Sequence, residues 1–118
     1  RKEAEEIATG AWFKMFREGL TLLRDCNKPE YDLYLLLCTL IKHQTGNLVE
    51  LNIQTKVELR KELNMSIQAF DRNLRSLQKK NLIKKWTGHT FLLNPDITYL
   101  GTEGGRWEAY QVYNNIEQ

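Results

Sequence analysis

The segment from Thr55 to Pro95 constrains the fold more than any other part of the chain, because it holds an ordered series of start and stop signals. Thr55 and Glu58 have the spacing of a capping box, in which the Thr hydroxyl and the Glu carboxylate bond the first free N–H groups of a helix. Asn64 can adopt the left-handed conformation that ends a helix without glycine. Ser66 is suited to cap the helix that follows. The segment therefore predicts two short helices separated by a tight turn.

The second of these helices has an apolar stripe, and two strands follow it. The stripe has the three-and-four spacing of a buried helix face and consists of Ile67, Phe70, Leu74 and Leu77. Residues 82–86 and 90–93 predict strands, with a turn at Thr87, Gly88 and His89 between them. A helix, a turn, a helix and a hairpin in this order are typical of a winged helix-turn-helix. Such a fold can place its second helix in a groove of DNA.

The flanking residues predict further helices and one more strand. Apolar spacing from Ala11 to Leu23 predicts a helix, and Pro29 suits the first turn of a helix from Glu30 to His43. A short strand is expected over Leu48–Leu51, and a last helix over Trp107–Tyr113. The expected fold is therefore mainly α with a small β-hairpin, a winged helix-turn-helix with flanking N- and C-terminal helices.

Length and cysteine usage limit the class of protein. The 118 residues predict a single domain over the whole chain, and the start at Arg1 predicts that it is a fragment of a longer one. Cys26 and Cys38 have the spacing of neither a metal site nor a disulfide framework, so we expect a reduced, cytoplasmic setting. The apolar run from Leu33 to Ile41 is too short to span a bilayer, and no membrane partner is expected.

Positive charge is concentrated in the middle of the chain. Residues 53–94 contain nine Lys or Arg and three Asp or Glu, a net charge of +6, whereas the whole chain has +2. Residues 1–52 and 95–118 have net charges of −1 and −3. A basic segment between acidic flanks indicates a surface that binds a polyanion such as nucleic acid.

The apolar stripe fixes which residues of the second helix face outward. Gln68 and Arg72 lie four apart and share one face. Gln can pair with adenine, and Arg with guanine, through two parallel hydrogen bonds, while the Ala69 methyl can meet a thymine methyl. We expect Gln68, Ala69, Arg72 and Asn73 to contact bases of double-stranded DNA. The alternatives are that Arg72 pairs with a nearby carboxylate and that Gln68 is an ordinary exposed side chain; Asp71, which repels phosphate, is expected off the contact line.

The expected contacts with the DNA backbone are polar or basic residues at helix ends and on the hairpin. They are Thr55, Lys56, Arg60, Ser66, Arg75, Lys79, Lys84, Lys85, Thr87 and His89. Hydroxyl and N–H groups at a helix N-terminus suit phosphate oxygens. Because Lys84 and Lys85 point to opposite faces of one strand, we expect at most one of them to contact DNA. The alternative is that the lysines form a solvated surface.

The sequence has no arrangement typical of catalysis or of metal binding. Its two histidines, His43 and His89, belong to unrelated elements. The glycines of residues 101–105 lack the following Lys-Ser/Thr of a phosphate-binding loop. We expect no enzymatic activity, no metal and no cofactor.

The stretch KELNMSIQAFDRNLRSLQKKNLIKKWTGHTFLLNPDI resembles the RepL family of Firmicute plasmid replication proteins. The hairpin exit Phe91–Pro95 carries the resemblance, since members of that family close their wing with a similar apolar–Asn–Pro segment and then a glycine. Gly101 and Gly104 stand where that glycine would fall. The upstream pattern is also similar, with an aromatic-rich first helix, a leucine-rich helix and the capping box. The aromatic-rich helix contains Phe13, Lys14 and Phe16.

The resemblance implies a plasmid or phage replication initiator that binds origin DNA and recruits host replication proteins. Asn94 and Pro95 carry over as structural markers, and Gln68, Ala69 and Arg72 occupy the recognition-helix positions. A winged-helix transcriptional regulator, such as a repressor, would use the same reader, and a winged helix can also bind protein.

The ends of the chain are rich in aromatic residues, namely Trp12, Phe16, Trp107, Tyr110 and Tyr113. Exposed together, they would form an association patch. These residues predict either a homodimer through the terminal helices or the packing of the two ends on each other.

Overall fold

The structure, a computed structural model, describes residues 14–41 and 46–116, which form five α-helices and two small antiparallel sheets. The helices are α1 (Leu20–Leu23), α2 (Lys28–Cys38), α3 (Ile53–Leu63), α4 (Ile67–Lys79) and α5 (Glu103–Asn114), with a 3-10 turn at Arg17–Gly19. The strands are β1 (Lys14–Met15), β2 (Leu48–Glu50), β3 (Ile83–Thr87), β4 (Thr90–Leu93) and β5 (Thr98–Tyr99). The fold is thus mixed, and none of the described helices has the length and hydropathy needed to cross a bilayer.

The three-stranded sheet contains the predicted hairpin and the predicted upstream strand. Its order is β2-β4-β3, with all pairs antiparallel. A two-residue turn at Gly88 and His89 joins β3 to β4, and Gly88 has a φ of 52°, which favours glycine. Val49 of β2 lies opposite Phe91 of β4. The strand predicted over residues 48–51 is therefore confirmed as Leu48–Glu50, and it pairs with the hairpin.

Within the described residues, the helix expected over residues 11–23 is confirmed only at its C-terminal end, where Leu20–Leu23 form α1. The preceding residues form the strand Lys14–Met15 and the 3-10 turn Arg17–Gly19 instead. Met15 and Phe16 are both buried but in different clusters, Met15 in the main core and Phe16 beside Tyr99. Successive side chains on opposite sides are a property of extended backbone, not of a helix. The Phe16 N–H donates to the Ile97 carbonyl at 2.9 Å, and a Cβ on Gly19 would lie 2.2 Å from the Asp96 carbonyl oxygen. This close approach to the 96–98 segment replaces most of the expected helix.

Three of the described helices begin earlier than the sequence suggested, each after a polar residue that caps it. Helix α5 begins at Glu103 instead of Trp107, because the Thr102 hydroxyl accepts from the Gly105 N–H at 3.0 Å. Asn27 caps α2 in a reciprocal capping box with Glu30. Asn52 caps α3 by accepting from the Thr55 N–H at 2.8 Å, so Thr55 is the third helical residue and the capping box expected at Thr55 is wrong. Helix α2 ends at Cys38, before the expected end at His43, which itself lies outside the described residues.

The turn between α3 and α4 forms as predicted. Asn64 has a left-handed backbone, with a φ of 56°, and the Ser66 hydroxyl accepts from the Ala69 N–H at 3.1 Å. The helix, turn, helix and hairpin therefore follow one another in the predicted order.

The main core joins α1, α2, α3, α4 and the larger sheet. It includes Leu33, Leu37, Leu59, Phe70, Leu74, Leu77, Ile83 and Leu93. The predicted burial of Phe70, Leu74 and Leu77 is confirmed. Ile67, expected in the same stripe, is instead 56% exposed, because it lies at the first position of α4 beside an open groove.

The two ends of the described chain pack on each other. Strand β1 pairs with β5, and the Arg106 guanidinium of α5 lies over the Phe16 ring at 3.9 Å. Tyr113 is fully buried, and its hydroxyl lies 3.1 Å from the Asn81 carbonyl oxygen. Among the described aromatic residues of the chain ends, Trp107 stays exposed. Phe16 and Tyr113 therefore serve the fold itself.

Candidate nucleic-acid interface

One side of α4 presents an exposed polar stripe. Gln68, Arg72, Arg75 and Lys79 are all exposed and follow one another at intervals of four, three and four residues. At 3.6 residues per turn these positions form a single line along the helix, on the side opposite the buried Phe70 and Leu77. The stripe carries three positive charges and one amide, and its N-terminal end adjoins the turn from α3.

The guanidinium of Arg72 has no carboxylate within 4.0 Å among the described residues. Asp32 lines the same groove between α2 and α4, but its carboxylate pairs with Lys28 at 2.7 Å. The described structure therefore gives no support to the alternative in which Arg72 serves an internal ion pair. Arg72 is exposed, so its guanidinium is accessible to a ligand.

Asn73 is the expected base contact that the structure contradicts. The residue is only 7% exposed, and its amide nitrogen lies 3.6 Å from the Met65 sulfur, facing the turn. Periodicity predicted an outward position, but Asn73 lies on the flank of α4 that α2 covers. Ala69 is half-buried on the same flank, so it is partly accessible at most.

Helix α3 contributes basic groups beside the N-terminal end of α4. Lys56 and Arg60 are half-exposed and line the groove between α3 and α4. Ser66 is exposed, but its oxygen is used as the cap of α4, which leaves its O–H as a donor. Thr55 is half-buried in the first turn of α3, and the backbone N–H expected to be free there bonds Asn52.

The two lysines of the hairpin, Lys84 and Lys85, have different surroundings. The Lys84 ammonium donates to the Tyr113 and Ile116 carbonyls at 2.9 and 3.0 Å and lies 4.5 Å from the centre of the Tyr113 ring. A cation bound to the last carbonyls of a helix stabilises that end. Lys84 therefore caps α5, which contradicts its expected role as a DNA contact. Lys85 is exposed on the other face of the strand.

The tip of the hairpin carries the remaining expected contacts. Thr87 and His89 are both exposed there, as is Trp86. The His89 carbonyl accepts from the Leu51 N–H at 2.7 Å, so the tip is held by the segment that leads into α3. A backbone hydrogen bond thus links the tip of the hairpin to the segment just before α3.

A buried carboxylate anchors the C-terminal half of α4. Glu30 is 4% exposed and accepts hydrogen bonds from the Ser76 hydroxyl, from the Lys80 ammonium at 2.7 Å and from the Asn27 N–H at 2.8 Å. Burial by itself raises the pKa of the Glu30 carboxyl. The hydrogen bonds from Lys80, Ser76 and Asn27 together lower this pKa by more than burial raises it, so the pKa lies below its usual value. Glu30 is therefore ionised at neutral pH and ties α4 to the start of α2.

The Asn-Pro segment after the hairpin fixes the other end of this assembly. The Asn94 side chain is buried, donates to the Asn81 carbonyl at 2.9 Å and accepts from the Asp96 N–H at 2.9 Å. Asn81 ends α4 with a φ of 65°. Asn94 thus joins the exit of the hairpin to the end of α4, a structural role that agrees with its expectation as a marker.

In the described ranges no group of three or more His, Cys, Asp or Glu side chains is placed to hold a metal ion. Burial raises the pKa of the Cys38 thiol to about 12, so this thiol stays protonated and is a poor nucleophile.

Sequence reasoning missed two features of this surface. Glu30 is recognisable in retrospect, because Asn27 and Glu30 have the spacing of a capping box. The exposure of Ile67, and of Ile53 at the start of α3, has no sequence signal, since their apolar character predicts burial.

Comparison with known proteins identifies one family. The searches of curated proteins and of solved structures returned no match. The family model described as Firmicute plasmid replication protein (RepL) matches residues 37–118, which include α3, α4, the hairpin and α5. This match covers more than half of the chain and confirms the resemblance to this family. The protein belongs to the RepL family of Firmicute plasmid replication proteins.

Proposed function

We propose that this protein binds a specific double-stranded DNA sequence through a winged helix-turn-helix and acts as a replication initiator at a plasmid or phage origin. The observation that carries the proposal is the exposed stripe Gln68–Arg72–Arg75–Lys79 on α4, which follows the turn from α3 and precedes the hairpin. Family membership supports the role in plasmid replication. The function is one of binding, without catalysis.

In this proposal α4 enters the major groove with its N-terminal half toward the bases. Gln68 reads adenine and Arg72 reads guanine, because each side chain offers two parallel hydrogen bonds to the matching base edge. Arg75 and Lys79, farther along the same line, contact phosphates where the helix leaves the groove. The absence of an internal carboxylate partner for Arg72 among the described residues supports its assignment.

The helix α3 and the hairpin position the reader on the duplex. Lys56 and Arg60 contact the phosphates beside the N-terminal end of α4. Lys85, Thr87 and His89 form the wing contact, on a neighbouring part of the backbone or in the minor groove. Phosphate contacts give affinity and register but little sequence preference, so the two sets of contacts have separable effects.

The experiment that tests the proposal is selection of bound duplexes from a random DNA library at about 0.15 M salt, where nonspecific binding is weak. We expect one enriched motif. Direct repeats of this motif favour the initiator, whereas a palindrome favours a dimeric regulator. The absence of any enriched motif would contradict DNA reading and favour the protein-binding winged helix.

Contacts with host replication proteins or with a second copy of the chain need a surface outside the reader. Phe16 and Tyr113 are buried, so within the described residues they are not open to a partner. Trp107 is exposed and stacks on Tyr110 at 5.9 Å between ring centroids. Association through the terminal helices would therefore use this side of α5, and Trp107→Ala should weaken it without changing the selected DNA motif.

A further inference from the structure

A groove between α3 and α4 exposes two large apolar side chains beside the face proposed to meet DNA. Ile53 is 78% exposed and Ile67 is 56% exposed, and each is the first residue of its helix. The groove has a volume of about 200 Å³, and Val57 and Phe70 contribute to its wall. Exposed apolar groups placed together are costly in water and often mark a binding surface.

The charged residues around this groove restrict its occupant. Lys56 and Arg60 line it on the α3 side, so a polyanion is attracted to the region. Asp71 lines it on the α4 side, and a phosphate placed within the groove would be repelled by this carboxylate. A DNA base edge satisfies both conditions, because it carries no net charge and lies between two phosphate backbones.

The apolar part of a base edge in the major groove is the thymine methyl group, the feature that distinguishes T·A from other pairs by contact with an apolar side chain. Ile67 precedes Gln68 directly and lies in the first turn of α4, the part of a recognition helix that meets base edges. Its side chain is therefore accessible beside the proposed adenine reader.

We infer that Ile67 is a specificity-determining residue that contacts the methyl group of a thymine in the major groove. The inference rests on the proposed function, since it assumes that α4 reads duplex DNA. It replaces the burial expected for Ile67 with a role in recognition, and it places one A·T pair next to the base read by Gln68. The DNA site should therefore contain a thymine whose recognition depends on its methyl group and not on phosphate contacts.

The test uses the motif selected by the wild-type protein. Each thymine is replaced in turn by deoxyuridine, which removes only the methyl group, and the dissociation constant is measured at about 0.15 M salt. At one position we expect the wild type to bind about fourfold more weakly, the effect of one lost apolar carbon. Ile67→Ala should bind the thymine duplex about fourfold more weakly and show no further loss with deoxyuridine at that position.

Val112→Ala is the matched control, because Val112 is also exposed, at 43%, but lies on α5. It should keep the full deoxyuridine effect. Thermal unfolding of Ile67→Ala should match the wild type, since an exposed side chain contributes little to the core. An enriched motif whose thymine dependence survives in Ile67→Ala would overturn the inference alone. The absence of any enriched motif would overturn the proposed function itself.

Discussion

The buried Glu30 carboxylate gives the sharpest prediction about how α4 is held. Glu30→Gln keeps the size of the side chain but removes the charge. The Asn27 N–H can still donate to the amide oxygen, whereas the amide nitrogen then faces Ser76, whose hydroxyl must accept instead of donate. A hydrogen bond to a charged group contributes about 1 kcal/mol more than a neutral one. The Lys80 side chain is 31% exposed, so water screens its ion pair with Glu30. In the variant, water can hydrate the Lys80 ammonium instead, and we expect little loss from this pair. We therefore expect the variant to lose about 2 kcal/mol of unfolding free energy, about 1 kcal/mol for each of the two bonds.

Urea denaturation at pH 7 measures this loss. Asp32→Asn is the matched control, because Asp32 lies on the same helix but pairs with Lys28 at the surface, where ion pairs contribute little. We expect Asp32→Asn to stay within about 0.5 kcal/mol of the wild type. Equal losses in the two variants, or a loss below about 0.5 kcal/mol in Glu30→Gln, would refute the assignment of Glu30 as an anchor.

The same pair of proteins has a defined pH dependence. Because the pKa of Glu30 is lowered in the folded state, its stabilisation is fully present above the unfolded pKa of about 4.3 and is lost as the pH falls through the folded pKa. The difference in unfolding free energy between wild type and Glu30→Gln should therefore be constant near neutral pH and shrink below about pH 4. A difference that grows toward acid would show that the carboxyl is not ionised in the fold.

Three further experiments test the reader, the hairpin and the core. Arg72→Ala should weaken binding to the selected motif by about 1–3 kcal/mol and remove the base preference at one position. Arg24 is an exposed arginine outside α3, α4 and the hairpin, so Arg24→Ala should leave that preference unchanged in the same binding assay. Equal losses on all sequences in Arg72→Ala would contradict base reading by Arg72. Lys85→Ala should make the slope of log affinity against log salt less steep by roughly one unit, the effect of one lost phosphate contact. Lys84→Ala should lower the melting temperature and leave this slope unchanged. The reverse pattern would refute the division of roles between the two lysines. Phe70→Ala should destabilise the fold by about 3–5 kcal/mol through a core cavity, and a native melting temperature would show that α4 has been rotated wrongly.

Local signals in the sequence predicted the helix-turn-helix segment well. Asn64 and Ser66 act within a few residues of themselves, through a left-handed backbone and a single cap bond, so no distant contact alters them. The capping box at Thr55 was a weaker signal, because Asn52 offers the same acceptor three residues earlier and begins α3 there. Two competing caps cannot be ranked from spacing alone.

Contacts between distant segments account for the predictions that failed. The pairing of β1 with β5 joins residues more than eighty positions apart, and each strand has only two residues, too few for an alternating pattern. Periodicity placed Asn73 and Ile67 on the wrong sides because it gives a helix face but not the extent of the neighbouring helices. Helix α2 covers Asn73, whereas the groove beside α3 leaves Ile67 open.

The exposure of each candidate contact was predictable where sequence patterns indicated the orientation of the helix or strand that carries it. The exposure of Gln68, Arg72, Arg75 and Lys79 follows from the buried stripe on the other side of α4. The alternation of the strand predicted that Lys84 and Lys85 would differ, but only the position of α5 decides that Lys84 is the one turned inward.

The measurement that tests the central claim most directly is the ratio of two dissociation constants for the wild-type protein at about 0.15 M salt. One is for a duplex carrying the selected motif, and the other is for a scrambled duplex of the same length and composition. A sequence reader should bind the motif at least about a thousandfold more tightly. Equal dissociation constants would mean that α4 presents only a nonspecific basic surface, and the account of Gln68 and Arg72 as base readers would be wrong.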